Sequence, residues 1–293
     1  MTTSGTDELE IFRRVLERNA TQLRRDLPWI GCNDPWAILV SEVMLQQTQV
    51  ARVLEPWRRF LATFPTANSC ADAPLAQILQ LWEGLGYHRR AKALHGAARM
   101  IRDQFGGEVP RDAASLLSLP GVGHYTANAV GSFAFGERVA VLDTNVGRVL
   151  ARAVANQTLG ARRAQTLANE LLPENGVAAH NQALLDLGAQ FCRSRPLCDS
   201  CPLSDACRWN LEGGDDPAPR SASVSRPQSA FEGSDRQLRG RVLGLLRQGQ
   251  VTSSRVVADV APGENERVVR IVESLVNDGL VERKGNQLRL AMT

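Results

Sequence analysis

Lysine is nearly missing from this chain. The only two are Lys92 and Lys284, and arginine carries the remaining positive charge. A mechanism built on a lysine nucleophile therefore has almost nothing to draw on. No apolar run is long enough to cross a bilayer, and the start, MTTSGTDELEIFRR, is acidic and then basic without a signal-peptide core. These absences point to a cytosolic chain with no membrane partner. Structural disulfides are uncommon in that compartment, so the six cysteines need another explanation. A formal net charge of +3 singles out no class of partner. What remains, 43% hydrophobic and 22% charged over 293 residues, is ordinary material for one large or two smaller domains.

From Asp7 to about Trp209 the pattern is one of successive helices. DPWAILVSEVMLQQTQVARVL is an example: Asp34 suits an N-cap, Pro35 the first helical position, and Ile38, Leu39, Val43, Leu45 and Val50 the apolar positions. No alternating strand pattern competes there, which predicts an all-α body. Composition changes at EGGDDPAPRSASVSRPQSAFEGS, residues 212–234, whose Gly, Pro, Ser and Asp content predicts a flexible linker. Beyond it, 235–293 reads as three short helices and a terminal hairpin around Lys284-Gly285-Asn286, a winged-helix-like domain. Such domains serve either DNA or protein partners.

Cys192, Cys198, Cys201 and Cys207 form a C-x5-C-x2-C-x5-C array in FCRSRPLCDSCPLSDAC. Four thiolates in so short a loop signal a metal site, and structural zinc and an iron–sulfur cluster both fit the ligand count. Cys32 and Cys70 stand alone and read as packing thiols. In LPGVGHYTANAV, Gly121 and Gly123 permit positive φ and leave room for an approaching group. Their amides, with those opening the next helix, suit an anion; a tight turn between packed helices accounts for the same residues. Two acids also stand out. Glu42 lies in the largely apolar SEVMLQQTQV, where a charge is costly unless it faces a polar cleft. Asp143 follows four aliphatic residues in VAVLDTNVGRVLARA, and an N-cap alone explains it.

Together SEVMLQQTQV, WEGLGYHRRAKAL, LPGVGHYTANAV, VLDTNVGRVLARA, HNQALLDLGAQFC and the cysteine loop resemble the helix-hairpin-helix DNA glycosylases, most closely the MutY-type adenine glycosylases. The resemblance spans roughly residues 8–210. It implies a glycosylase body over 1–211, with a six-helix subdomain at about 35–138 and an iron–sulfur subdomain from 1–34 and 139–211. It also implies a [4Fe–4S] cluster on the four cysteines in place of zinc. The substrate is then double-stranded DNA with a mispaired or damaged base, met by a monomer in the cytoplasm at the nucleoid. Leu119, Gly121, Val122, Gly123 and His124 belong to the hairpin that anchors a phosphate. Gln46, Gln47, Leu85 and Tyr87 match intercalating positions. Glu42, with a raised pKa, protonates adenine at N7; Asp143 stays ionised beside the sugar, positioned with water by Tyr125 and Asn145. Relatives that also cut the backbone carry lysine at the position of Tyr125, so this chain is expected to be monofunctional.

The sequence departs from the family pattern at three places. The first two cysteines are five residues apart instead of six. Ile30 replaces an arginine common in adenine glycosylases, and Asp186 replaces a glutamate, both near residues associated with base choice. A winged-helix-like module stands where the family's 8-oxoguanine-reading domain is usual. The alternatives are the same chemistry on thymine, uracil or hypoxanthine, and a non-catalytic iron–sulfur DNA-binding regulator.

Overall fold

Local chemistry sets where the helices start, and distant side chains set where some of them stop. The computed structural model describes residues 5–224 and 230–293, with side chains from Asp7 onward. In chain order the helices are α1 (Gly5–Leu23), α2 (Pro35–Leu45), α3 (Leu54–Thr63), α4 (Ala67–Asp72), α5 (Leu75–Leu81), α6 (Arg89–Gln104), α7 (Ala113–Ser118), α8 (His124–Phe135), α9 (Thr144–Val149), α10 (Ala161–Glu170), α11 (Val177–Gln190) and α12 (Arg208–Glu212). Then follow α13 (Asp235–Arg247), β1 (Val251–Thr252), α14 (Ser253–Val260), α15 (Asn265–Asn277), β2 (Val281–Lys284) and β3 (Gln287–Leu290). The described chain is helical apart from one small sheet, as expected.

The start of α2 follows its sequence: Asp34 accepts from the Trp36 amide at 2.9 Å, and Pro35 fills the first position. Its end does not. The helical pattern runs on to Leu54, yet α2 stops at Leu45 and Gln47 takes a left-handed φ of 56°. The Arg90 guanidinium, arriving from α6, donates to the Val43 and Met44 carbonyls at 2.9 and 2.8 Å. Those are orphan acceptors of a helix end, and a half-buried cation satisfies them. Helix α4, which no apolar periodicity announced, is held by a capping box between Thr66 and Ser69.

The chain divides into two units, Met1–Asn33 with His124–Pro227, and Asp34–Gly123 with Gln228–Thr293. The first builds its core from Phe12, Leu16 and Leu23 of α1 against Val146, Leu150, Leu184 and Leu187. The second centres on Phe60, whose ring meets Phe64 edge-on at 5.1 Å and Trp82 at 6.3 Å. Residues 225–229 of the expected linker lie outside the described residues. The stretch before them packs on the first unit, where the Ala222 amide donates to the Leu159 carbonyl at 2.7 Å and the Leu159 amide to Ser221 Oγ at 3.0 Å.

Residues 235–293 have winged-helix topology, with sheet order β1-β3-β2, both pairings antiparallel. Val281 pairs with Leu290 and Lys284 with Gln287 across the expected hairpin, and Gly285 turns at φ 59°. Within the second unit this module is bound to α6 through Asp278, only 9% exposed at its side chain. Asp278 accepts from Arg89 and Arg239, and its carbonyl accepts from Lys92 Nζ at 2.8 Å. Burial works to raise the Asp278 carboxyl, but the hydrogen bonds from Arg89 and Arg239 outweigh it and hold it below its ordinary value. A depressed folded value stabilises the docked state above the unfolded one, about pH 4, and that contribution is lost as pH falls through the folded value. Asp278→Ala is expected to cost about 1–3 kcal/mol and to expose the module to limited proteolysis at neutral pH. Unchanged proteolysis and melting would show that Asp278 does not hold the module.

Candidate active site

The path to Asp143 is fixed before the residue is reached. Residues 139–142 carry no regular secondary structure, and Asn181 of α11, 1% exposed, satisfies their backbone. Its Nδ2 donates to the Val139 carbonyl and to Ser132 Oγ, both at 2.8 Å, while its Oδ1 accepts from the Val141 amide at 3.3 Å. Asn128 of α8 adds a bond to the Ala140 carbonyl at 3.0 Å. Asp143 then caps α9, accepting from the Val146 amide at 2.8 Å through Oδ1. Its Oδ2 accepts from Asn145 Nδ2 at 2.6 Å. The N-cap explanation is therefore correct, and it leaves the carboxylate with one oriented side-chain donor besides. Burial pushes the Asp143 carboxyl above its ordinary value; the Val146 amide, Asn145 and the Arg148 charge act in the opposite direction without cancelling it.

Asn145 is held in turn. Arg148 Nη2 donates to Asn145 Oδ1 at 2.6 Å and to the Gly188 carbonyl at 3.0 Å, and its Nε donates to the Cys192 carbonyl at 2.7 Å. The helix widens into a π turn over Leu150–Ala155, a local change often found at functional sites. Arg152 in that turn is 1% exposed. It donates to Cys192 Sγ at 3.5 Å and to the Arg193 carbonyl at 2.6 Å, pairs with both oxygens of Asp216, and stacks its guanidinium 5.4 Å from the Trp209 ring. Cys192, Cys198, Cys201 and Cys207 line one small cavity of about 30 Å³, walled by Val149, Phe191 and Leu203. None of the six cysteines, all among the described residues, is disulfide-bonded. Four free thiols around one pocket, with an arginine donor to one sulfur, fit a thiolate-ligated metal group.

In the second unit Glu42 sits on α2 and is 5% exposed, so it is not a solvent-facing helix residue. Just past it, Gln46 Nε2 donates to the Gly121 carbonyl at 3.2 Å, joining the α2 end to the hairpin turn. Gly121 has φ 79°, and a Cβ there would lie 2.7 Å from Ala93 Cβ, so both backbone and space demand glycine. Gly123 has neither constraint. Leu119 and Val122 are buried, at 2% and 7%, while His124, which opens α8 in the other unit, is exposed. Tyr125, one residue on, packs against the first unit's core. Gln47 is exposed and Tyr87 half-buried at φ 44°. Leu85 is 2% exposed, so a place in the base stack requires it to turn outward from its packed position.

Residues 40–174 match the family model of the HhH-GPD superfamily base excision DNA repair protein. The chain is 43% identical over 269 residues to an adenine DNA glycosylase of Mycolicibacterium smegmatis, covering 89% of each chain. That span is longer than the 211 residues ahead of the expected linker. The chain belongs to the adenine DNA glycosylases. A human adenine DNA glycosylase is 41% identical over 216 residues, 69% of this chain and 40% of the human one. Among solved structures, a thermostable thymine-DNA glycosylase is similar with TM-score 0.64 and 29% identity over 70% of this chain and 98% of its own. A trapped endonuclease III–DNA covalent intermediate is similar with TM-score 0.60 and 27% identity over 72% and 99%.

Two of the glycosylase's departures from its family pattern have structural partners. Asp186 is fully buried and accepts from Arg25 Nε at 2.6 Å, the Arg25 amide at 3.3 Å and Gln182 Nε2 at 2.8 Å. It therefore acts on the segment carrying Ile30 through Arg25. Ile30 is half-buried, and its carbonyl accepts from Arg24 at 3.2 Å. Sequence reasoning missed Arg90, Arg148, Arg152 and Gly188. The one available signal was the i, i+3 spacing of Asn145 and Arg148 on a helix face. A Cβ at Gly188 would lie 2.6 Å from the Asn145 carbonyl oxygen. Gly188→Ala should thus destabilise the protein by about 1–3 kcal/mol in thermal or denaturant melts. A variant as stable as wild type would mean that α9 and α11 are not in this close register.

Proposed function

We propose that the protein is a base-excision-repair glycosylase that hydrolyses the N-glycosidic bond of adenine mispaired with 8-oxoguanine or guanine in double-stranded DNA. The observation that carries the mechanism is Asp143, a carboxylate oriented by a helix amide and by Asn145. The flipped adenine leaves the stack at a cost of a few kcal/mol. Gln46, Gln47, Tyr87 and a reoriented Leu85 act at the gap. Amides of the Leu119–Gly123 turn and His124 hold a phosphate, and the open space at Gly123 leaves it room.

Glu42 is the acid. It is 5% exposed on α2, and in this reading it donates a proton to adenine N7. The C1′–N9 bond then breaks with its electron pair going to the base, and Asp143 faces the cation that develops on the sugar. Tyr125 and Asn145 position the sugar, Asp143 and water. Water adds at C1′ and releases a proton, leaving an abasic site. The reaction stops there because α8 offers a tyrosine hydroxyl where a Schiff base requires an amine. Of the two lysines, Lys92 is engaged with the Asp278 carbonyl.

Cys192, Cys198, Cys201 and Cys207 hold a [4Fe–4S] cluster in this reading. Four free cysteines lining one cavity, with Arg152 donating to one sulfur, support a thiolate-ligated group there. The bound cluster supplies a cross-link for the 192–207 loop, and no hydrolytic step uses it. Adenine is favoured over thymine, uracil or hypoxanthine by the 43% identity to an adenine glycosylase, against 29% to the thymine enzyme. Ile30 and, through Arg25, Asp186 bear on base choice. The protein works as a monomer on cytoplasmic, nucleoid DNA, and no described helix is long and apolar enough to cross a membrane.

The test is excision from duplexes carrying A, T, U or hypoxanthine opposite G or 8-oxoguanine. Adenine should be released without a borohydride-trapped adduct, and Asp143→Asn should lower the single-turnover rate at least about 100-fold while duplex binding persists. The raised Asp143 value places the acid limb of the pH–rate profile above the usual aspartate pH, with activity falling as pH drops through it. Release of thymine in preference to adenine, or a trapped covalent adduct, would contradict this reading.

A further inference from the structure

The winged-helix module reaches into the loop assigned to the base stack. Arg236, in the first turn of α13, donates from Nη1 to the Tyr87 hydroxyl at 2.8 Å, and its guanidinium lies 5.9 Å from the Tyr87 ring centroid. Arg90 faces the same ring at 5.5 Å. Tyr87 holds φ 44° between Gly86 at 67° and a buried His88, a backbone state that a residue with a Cβ keeps only when its surroundings enforce it. The loop's base is fixed from within the body, since Arg90 Nη2 donates to the Leu85 and Gly86 carbonyls at 3.1 and 3.2 Å. The Tyr87 hydroxyl at the tip accepts from the module. All of these residues belong to the second unit.

The module's own helix face offers little to a phosphate backbone. The exposed positions of α15 are Asn265, Glu266, Val269, Arg270 and Asn277, with Arg267 and Glu273 half-exposed, a mixed-charge surface and not a basic one. We propose that Arg236 is a positioning residue for lesion recognition: it sets the Tyr87 ring for entry into the base stack, so the C-terminal module acts on DNA through Tyr87. This rests on the glycosylase reading given above. A hydroxyl-directed hydrogen bond with a cation over the ring fixes both the tilt and the reach of a side chain that has only two side-chain torsions.

The experiment compares full-length wild type, Arg236→Gln, Arg236→Lys, Tyr87→Phe and the Arg236→Gln/Tyr87→Phe double variant. For each, the dissociation constant is measured on a duplex with a stable abasic analogue opposite 8-oxoguanine and on the fully paired duplex. Each of Arg236→Gln and Tyr87→Phe is expected to reduce the preference for the analogue duplex over the paired duplex about tenfold. The double variant should be no worse than Tyr87→Phe, and Arg236→Lys should recover part of the loss. Tyr87→Phe keeps the ring and the Asp278 docking contacts, so it reports on the hydrogen bond even if Arg236→Gln loosens the module. Equal weakening on both duplexes would make Arg236 a phosphate contact, and multiplied losses in the double variant would make the two residues independent; either result overturns the proposal. Wild type that neither prefers the analogue duplex nor excises adenine overturns the glycosylase reading, and this inference with it. Wild type that does both while Arg236→Gln matches it overturns this inference alone.

Discussion

One chain of hydrogen bonds governs the candidate active site: Cys192 carbonyl to Arg148, Arg148 to Asn145, Asn145 to Asp143. A carboxylate that must stabilise a sugar cation has conflicting requirements. It must be withdrawn from bulk water to act strongly, yet desolvation favours the neutral acid. Here burial does raise the Asp143 carboxyl, and oriented donors restrain the rise. Those donors are useful only if they do not swing away, and each is locked by the next. Arg148 is fixed by two carbonyls as well as by Asn145, and Gly188 removes the side chain that would keep α11 from that register. The cysteine loop thereby shares a partner, Arg148, with the donor that orients Asp143.

Arginine, which replaces lysine almost everywhere, is the structural reagent of this protein. A planar guanidinium can satisfy several carbonyls in fixed directions, whereas an ammonium is a strongly hydrated point charge. Arg90 uses that property to close α2 behind Glu42 and to grip the loop before Tyr87. Burial lowers Arg90 to about 10, which still leaves it charged at neutral pH. Arg152 does the same for the cysteine loop, and Arg236 and Arg239 for the C-terminal module. Replacing such a residue leaves several acceptors unsatisfied at once, so each is more consequential than a surface charge.

What was legible in the sequence were features whose signal is local. The Asp34-Pro35 start of α2, the Asp143 cap, the terminal hairpin at Gly285 and the cysteine spacing are all set by residues within a few positions of one another. Features set at a distance were not. Helix-compatible residues continue past Leu45, and only a guanidinium more than forty positions away explains why α2 ends there. The burial of Arg148 and Arg152 was equally hidden, because arginine in a helix reads as a solvated face until its acceptors are known. The residues with family roles were picked out by type and order; that Leu85 is packed inward and that Asp186 is a sealed ion-pair partner of Arg25 depend on tertiary contacts alone.

The most direct test of this account is the single-turnover adenine excision rate of Arg148→Gln, measured on protein that matches wild type in melting temperature and far-ultraviolet circular dichroism. If Asp143 depends on Asn145 being held from behind, the rate should fall at least about tenfold while affinity for the mispaired duplex changes little. A folded variant that excises at the wild-type rate would contradict the account.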